Sequence, residues 1–533
     1  MTSTSKYISY RETGSFSPLV LDYIEKNPML YSLPLLTPDL SGLKKAMEQR
    51  EQFATNRTVL VSHLRKQYEG MAVDQRVSEN IERLLLSSTF TITTAHQNNL
   101  FTGPLYFFYK ILHAIRLANY CKEQFPDQDF VPVYYIGSED ADIEELNHIH
   151  VGAVTHQWNT SQQGAVGRMK VDQDLLALLQ QVEGEWGVLP HGKEWVDLLK
   201  ESYQENDTMA RATFRLVNKL LGRFGIVVLD ADATALKELL KPVCSFDLEA
   251  GQTEAVLNPA FNQMKEWGYS LQAFVRPVNL FYLKEGLRQR IEKKEDNWQV
   301  VGTMEQFNKQ QLKQELDQHP DRFSPNVILR GLYQSILLPD IAFIGGGSEV
   351  AYWIPLLPLF QKMGIPFPVL VLRNSFLLVS DEQSAKLNKL GLVAEQLFQP
   401  LGELVKKFYS HADHQNSSLS DELAWMQDFY GKLSQKAATV DFTLKGHTES
   451  LAKKAAHLLV GLEKKMASAT KRKYTDAERQ IQILKDSLFP KGQLQERYDN
   501  MGVYYARYGD QLFDHLIEAS HPLEARFTIL TVN

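Results

Sequence analysis

The feature that most constrains this chain is a recurring pattern of short apolar strands that each run out into polar, chemically capable residues. Residues 90–96 (FTITTAH) alternate in the manner of a strand. A polar stretch follows, and then Leu105, Phe108, Ile111, Leu112 and Ile115 recur at helical spacing. A second apolar strand, 130–136 (FVPVYYI), ends at Gly137, Ser138, Glu139 and Asp140. Strand, helix, strand in that order predicts a βαβ unit and a parallel sheet. Three more strands are expected at 226–229, 341–344 and 368–372. They run into Asp230-Ala231-Asp232, Gly345-Gly346-Gly347 and Arg373-Asn374-Ser375. Open parallel sheets bind ligands beyond the carboxyl ends of their strands. The expectation is therefore an α/β fold with one ligand cavity at those tips.

A chain of 533 residues needs more than this one core. We expect a core over 1–383, with a helical insert at about 152–222 and a β-rich insert at about 273–320 that turns at Glu285-Gly286. From 384 to 489 the sequence is rich in Leu, Lys, Glu and Gln. Leu451, Ala455, Leu458 and Leu462, then Ala477, Ile481, Leu484 and Leu488, step by four, three and four residues, as in a helical hairpin or dimeric coiled coil. Residues 411–420 form a polar break, Pro490-Lys491-Gly492 closes the last long helix, and 490–533 is expected to return a strand (526–532) to the main sheet. The formal charge of −7 gives no general attraction to nucleic acid, and Lys464, Lys465, Lys471, Arg472 and Lys473 read as a solvated helix face. Two cysteines, Cys121 and Cys244, exclude a disulfide framework. With no apolar run of about 18 residues and no apolar leader core, no membrane contact and a cytoplasmic location are expected.

Each candidate for chemistry has a plain structural alternative. The loop from His96 through Gln97, Asn98, Thr102 and Gly103 suits an anion at a helix start, or a capped turn ahead of Pro104. Glu139, Asp140 and Asp142, followed by Asn147 and His148, could hold an ammonium group or Mg²⁺, or be an acidic first helical turn. His148, His150 and His156 are not assigned to a metal, since no cysteine accompanies them. Gly345, Gly346, Gly347 and Ser348, with Glu349 next, allow close approach of a backbone to a phosphate or positive φ, but are not a Walker motif. Arg330, Gln334, Arg373 and Asn374 suit carboxylate recognition or surface pairing. Phe101, Tyr106, Tyr352 and Trp353 would wall a pocket or sit in the core.

These segments, TTAHQNNLFTGPLY (93–106), VPVYYIGSEDADIEELNH (131–148), FSPNVILRGLYQSILLPDIAFIGGGSEVAYW (323–353) and LFPKGQLQERYDN (488–500), closely resemble the cysteine-adding enzymes of bacillithiol biosynthesis. The resemblance implies a Rossmann-like core related to class I synthetases and nucleotidyltransferases, interrupted by connective inserts and followed by a coiled coil that makes a homodimer. It implies ligation of L-cysteine to glucosaminyl-malate, with ATP or another nucleotide as energy donor and Mg²⁺ compatible with the acids. His96, Asp140, Asp142 and Arg330 would be the catalytic group. The chain departs from the family at Ala95-His96-Gln97-Asn98-Asn99 and at Gly347-Ser348, and it lacks the synthetase histidine pair in its usual form. Another nucleotidyl-transferring amide ligase and a non-catalytic coiled-coil scaffold remain the alternatives.

Overall fold

The computed structural model describes residues 3–152, 154–412 and 419–533. Its strands are β1 (Ser3–Ile8), β2 (Thr89–Gln97), β3 (Asp129–Gly137), β4 (His148–Val151), β5 (Val154–Gln157), β6 (Val227–Asp230), β7 (Leu280–Lys284), β8 (Leu287–Lys294), β9 (Asn297–Val300), β10 (Gln306–Asn308), β11 (Phe323–Pro325), β12 (Asp340–Gly345), β13 (Val369–Leu372), β14 (Ser375–Ser380) and β15 (Phe527–Val532). Two compact units are present: 1–378 with 493–532, and 379–492 with 533.

The first unit is built on a five-stranded sheet of order β13-β12-β2-β3-β6, parallel throughout. The β2 strand is buried along most of its length, so its threonines must bond inside the protein. Thr94 donates to the Ile344 carbonyl at 2.9 Å, and Thr93 to Thr91 at 3.3 Å. Helices Leu40–Glu51 and Tyr106–Gln124 supply Leu43, Met47, Ala114, Leu117 and Cys121 to the core beneath Phe90, Ile92, Ile344 and Val371. Parallel register then decides where the strand tips fall. His96 pairs with Ile136, Gln97 with Gly137, Ile136 with Asp230 and Gly345 with Leu372, so the polar ends lie level along one edge.

The segment at 152–222 includes β5, which pairs antiparallel with β4, and carries helices Gln173–Trp186, Gly192–Ser202 and Met209–Leu221. The β-rich segment forms an antiparallel sheet of order β10-β9-β8-β7-β11, with Gly286 at φ 66° in the β7–β8 turn. It ends in a helix, Lys309–Gln318, entered through an Asn308–Gln311 capping box. The 526–532 strand does not join the main sheet. β15 pairs antiparallel with β1, from Ser3 against Val532 to Ile8 against Phe527, in a separate sheet of order β1-β15-β14. A partner more than 500 residues distant leaves no local trace in the sequence.

The second unit is helical, with Asp381–Lys389, Leu401–Ala412, Ser420–Ala438 and the 45-residue helix Leu444–Leu488. The lower seam is packed within it: Ala477, Ile481, Leu484 and Leu488 are buried. The upper seam is not, since Leu451, Leu458 and Leu462 are 40%, 73% and 48% exposed. The polar break over 411–420 falls mainly on residues outside those described. So do the side chains of Lys471 and Lys473, whereas Lys464, Lys465 and Arg472 are exposed. Among the described residues, no helix is long and apolar enough to cross a membrane.

Candidate active site

A cavity of about 510 Å³ lies at the carboxyl edge of the parallel sheet. All five strands reach it: β2 through His96 and Gln97, β3 through Gly137 to Asp140, β6 through Asp232, β12 through Gly346 to Glu349, and β13 through Arg373. Helix Tyr106–Gln124 adds Tyr106 and Lys110, and helix Val327–Leu337 adds Arg330.

Cations surround the β2 end of this cavity. Lys110 is 3% exposed, donates to the Ala95 carbonyl at 3.0 Å, and is ion-paired with Glu349. Burial lowers its pKa and Glu349 works against that. Glu349 also accepts the Gly346 N–H at 2.8 Å. Burial, then the charges of Lys110, Arg373 and Arg330, hold the His96 pKa well below its usual value, with Asn99 acting weakly the other way. His96 is therefore neutral near pH 7, and its Nε2 makes no hydrogen bond among the described residues. Arg330 donates to Gln334 Oε1 at 3.2 Å and to the Tyr352 hydroxyl at 3.4 Å. Tyr106, pushed up to about 12 by burial, keeps its proton.

Carboxylates gather at the β3 and β6 ends. Glu139 is ion-paired with buried Lys237, and burial raises its pKa against that pull. Asp232 takes two bonds from Arg168, at 2.6 and 2.7 Å. Asp230, raised to about 6 by burial and by the charge of Asp232, accepts the Ser138 hydroxyl at 2.6 Å. Asp140 accepts from Gln97 at 2.6 Å and from the Asp142 N–H at 3.1 Å. Arg288, reaching in from β8, feels the charges of Asp140, Glu139 and Asp232.

The structure thus brings His96, Gln97, Tyr106, Glu139, Asp140, Arg330, Gly346, Gly347, Ser348, Glu349, Tyr352 and Arg373 to one cavity. Other expected residues do not line it. After Gln97 the chain folds inward through left-handed backbone at Phe101, Thr102 and Gly103 (φ 43°, 71° and 65°). Asn98 is buried against Thr213 at 3.0 Å, Thr102 donates to the Phe101 carbonyl, and Phe101 packs edge-on to Tyr203. The expected open helix start is closed: Leu105 N–H donates to Asp499 at 2.8 Å, and Asn500 bonds the Phe101 and Gly103 carbonyls at 3.0 and 2.8 Å. An anion has no free helix end there.

Gly345 ends β12, and its carbonyl accepts the Arg373 N–H at 2.8 Å. None of the three glycines has positive φ, so their small size serves close approach alone. Gln334 sits behind Arg330, bonded to Asp340 at 3.0 Å, and Trp353 stacks on Phe343 with centroids 4.4 Å apart. Asn374 bonds His113 through its N–H and the His521 carbonyl through its amide. Asp142, Asn147 and His148 flank the short helix Ile143–Leu146, away from the lining. His150 stacks on Tyr498 and His156 meets Glu185 at 2.8 Å, and no cluster of three metal-ligand side chains exists among the described residues.

Sequence reasoning missed Lys110, Arg288 and Arg497, and it placed Ser138 and Asp232 at strand tips without giving either a role. Lys110 had a signal: a lysine between Phe107-Phe108-Tyr109 and Ile111-Leu112 must be buried, and a buried lysine needs a partner. Arg288 lies on an exposed-looking polar stretch and had none, and Arg497 lies in the 488–500 segment that carries the resemblance, with no role assigned to it.

Residues 3–374 match the family described as bacillithiol biosynthesis BshC, N-terminal Rossmann-like domain, and residues 376–532 match its C-terminal coiled-coil domain. Relatives named as candidate cysteine ligases BshC include one from Flavobacterium johnsoniae, 36% identical over 98% of this chain and 99% of its own length. Others come from Flavobacterium psychrophilum, at 36% over 98% of each chain, and Cytophaga hutchinsonii, at 35% over 97% of this chain and 96% of that protein. Matched from end to end in both regions, the chain belongs to the bacillithiol-biosynthesis BshC family.

Proposed function

We propose that this protein is a cysteine ligase that forms the amide between the carboxyl of L-cysteine and the amine of glucosaminyl-malate, with a nucleotide as energy donor. The observation that supports it best is the charge layout of the cavity at the strand tips. Lys110, Arg330 and Arg373 surround neutral His96, while Glu139, Asp140 and Asp232 face Arg288. The substrates of such a reaction carry carboxylates and amines, and each finds an opposite charge.

A carboxylate does not condense with an amine in water without activation. The nucleotide supplies a phosphate leaving group, so that the carboxyl carbon becomes electrophilic and the elements of water leave on phosphate. The cavity's cations and the unpaired His96 Nε2 suit its anionic oxygens. Arg330 and Arg373 hold carboxylates. Asp140 binds the cysteine ammonium or takes a proton from the attacking amine. Much of the barrier reduction comes from holding amine and carboxyl carbon together in a desolvated site. Mg²⁺ accompanying the nucleotide would be held by its phosphate oxygens and would supply charge neutralisation there. We place a second copy of the chain on the exposed Leu451–Leu458–Leu462 row, and sedimentation of wild type against Leu458→Glu tests that dimer.

The test of function is mass spectrometry of purified protein with L-cysteine, glucosaminyl-malate, ATP and Mg²⁺, each omitted in turn. Bacillithiol formed only in the complete mixture is expected. No product with any nucleoside triphosphate would overturn the reading.

A further inference from the structure

Arg373 is 4% exposed, yet most of its donors are already taken. Its Nη1 donates to Glu496 Oε2 at 2.9 Å and to Ser375 Oγ at 3.0 Å, and its Nη2 to Glu496 Oε1 at 2.7 Å. Glu496 is completely buried, and its remaining capacity is filled by the Ser375 hydroxyl at 3.2 Å and the Phe376 N–H at 3.3 Å. The guanidinium lies over the Tyr106 ring, 5.3 Å from its centroid. Its Nε alone has no partner among the described residues. That buried atom lies beside Gly346, where an added Cβ would stand 3.6 Å away, and Gly346 and Arg373 both line the cavity.

The acid comes from far along the chain. Residues 493–500 thread through the unit that holds the cavity. Gln495 bonds the Leu378 N–H and carbonyl at 2.9 and 3.0 Å, Asn500 closes the loop at Phe101 and Gly103, and Arg497 itself lines the cavity. A bidentate carboxylate fixes a guanidinium in one plane. Buried Arg373 without it would be an unpaired charge with several rotamers open to it.

We propose that Glu496 is a positioning residue that clamps Arg373 so that its Nε edge is the part left to meet an anionic group of a substrate, making the 493–500 segment part of the site. Glu496 touches no ligand. It fixes the direction from which Arg373 does, so that recognition is directional rather than merely cationic. The assignment rests on the ligase reading above for the identity of the substrate.

The test is a double-mutant cycle over Glu496→Gln and Arg373→Lys in the full-length protein, with circular dichroism to confirm folding. KM and kcat are measured for cysteine and for glucosaminyl-malate, and glucosaminyl-malate binding is measured separately by calorimetry. Each single substitution should raise KM for one of the two substrates about tenfold with a smaller change in kcat. The double variant should be no worse than Arg373→Lys alone, and Glu496→Asp should recover part of the loss. Folded Glu496→Gln with unchanged KM values, or effects that multiply in the double variant, would overturn the assignment. A wild type that binds glucosaminyl-malate but makes no product overturns the ligase reading alone, and the calorimetric cycle then decides on Glu496. A wild type that does neither overturns both.

Discussion

Acid should weaken this protein through one buried histidine, and the size of the effect follows from its bonds. His113 is 1% exposed, on the helix that lines the cavity. Its Nδ1 accepts the Asn374 N–H at 3.1 Å, so the proton is on Nε2, which donates to the Pro522 carbonyl at 3.0 Å. A second proton would have to enter at Nδ1, where a donor already points. Burial is the largest cause of the lowered pKa, which falls from 6.5 to about 4. Between those values the unfolded chain binds a proton that the folded one refuses. The stabilisation is whole above pH 6.5 and is lost as pH falls through 4, amounting to about 3 kcal/mol in all. The assay is urea unfolding of wild type and His113→Gln at half-unit steps from pH 7.5 to 4. The gap between them should narrow by about 3 kcal/mol toward acid, since glutamine does not titrate. A gap that stays constant with pH would refute the reasoning.

Three more outcomes are expected. Asp340 accepts from Arg50 at 2.8 Å, Gln334 at 3.0 Å and Ser335 at 3.1 Å in full burial, so Asp340→Ala should cost about 3–5 kcal/mol in denaturant unfolding. Arg50→Met with Asp340→Leu should restore most of it. An added Cβ at Gly167 would stand 2.5 Å from the Ser138 carbonyl, so Gly167→Ala should push the β3 tip carrying Glu139 and lower ligase kcat/KM at least tenfold while costing about 1–3 kcal/mol. Asp140→Asn should raise KM for cysteine more than for glucosaminyl-malate in steady-state assays, and equal effects would reject its ammonium role.

The central sheet was legible because buried strands and a helix between them write their periods locally. The strands expected at 90–96, 130–136, 226–229, 341–344 and 368–372 became β2, β3, β6, β12 and β13, each within one residue at its ends. The polar tips were legible for the same reason, and parallel register then levels them. The loop after Gln97 left an anion site and a capped turn both open, because helix-start chemistry at Thr102-Gly103 looks alike whether solvent or Asn500 satisfies it.

By itself, the sequence determined which residues stand at the carboxyl ends of parallel strands, since that depends only on order and period along the chain. What each tip residue is free to do was decided by the tertiary structure alone. Arg373 looks like an open carboxylate clamp until Glu496, 123 residues later, occupies it, and Lys110, whose apolar neighbours announce its burial, gains Glu349 as its partner only when the chain folds. A buried charge is defined by its partner, and partners brought together by folding leave no mark on the residues beside them.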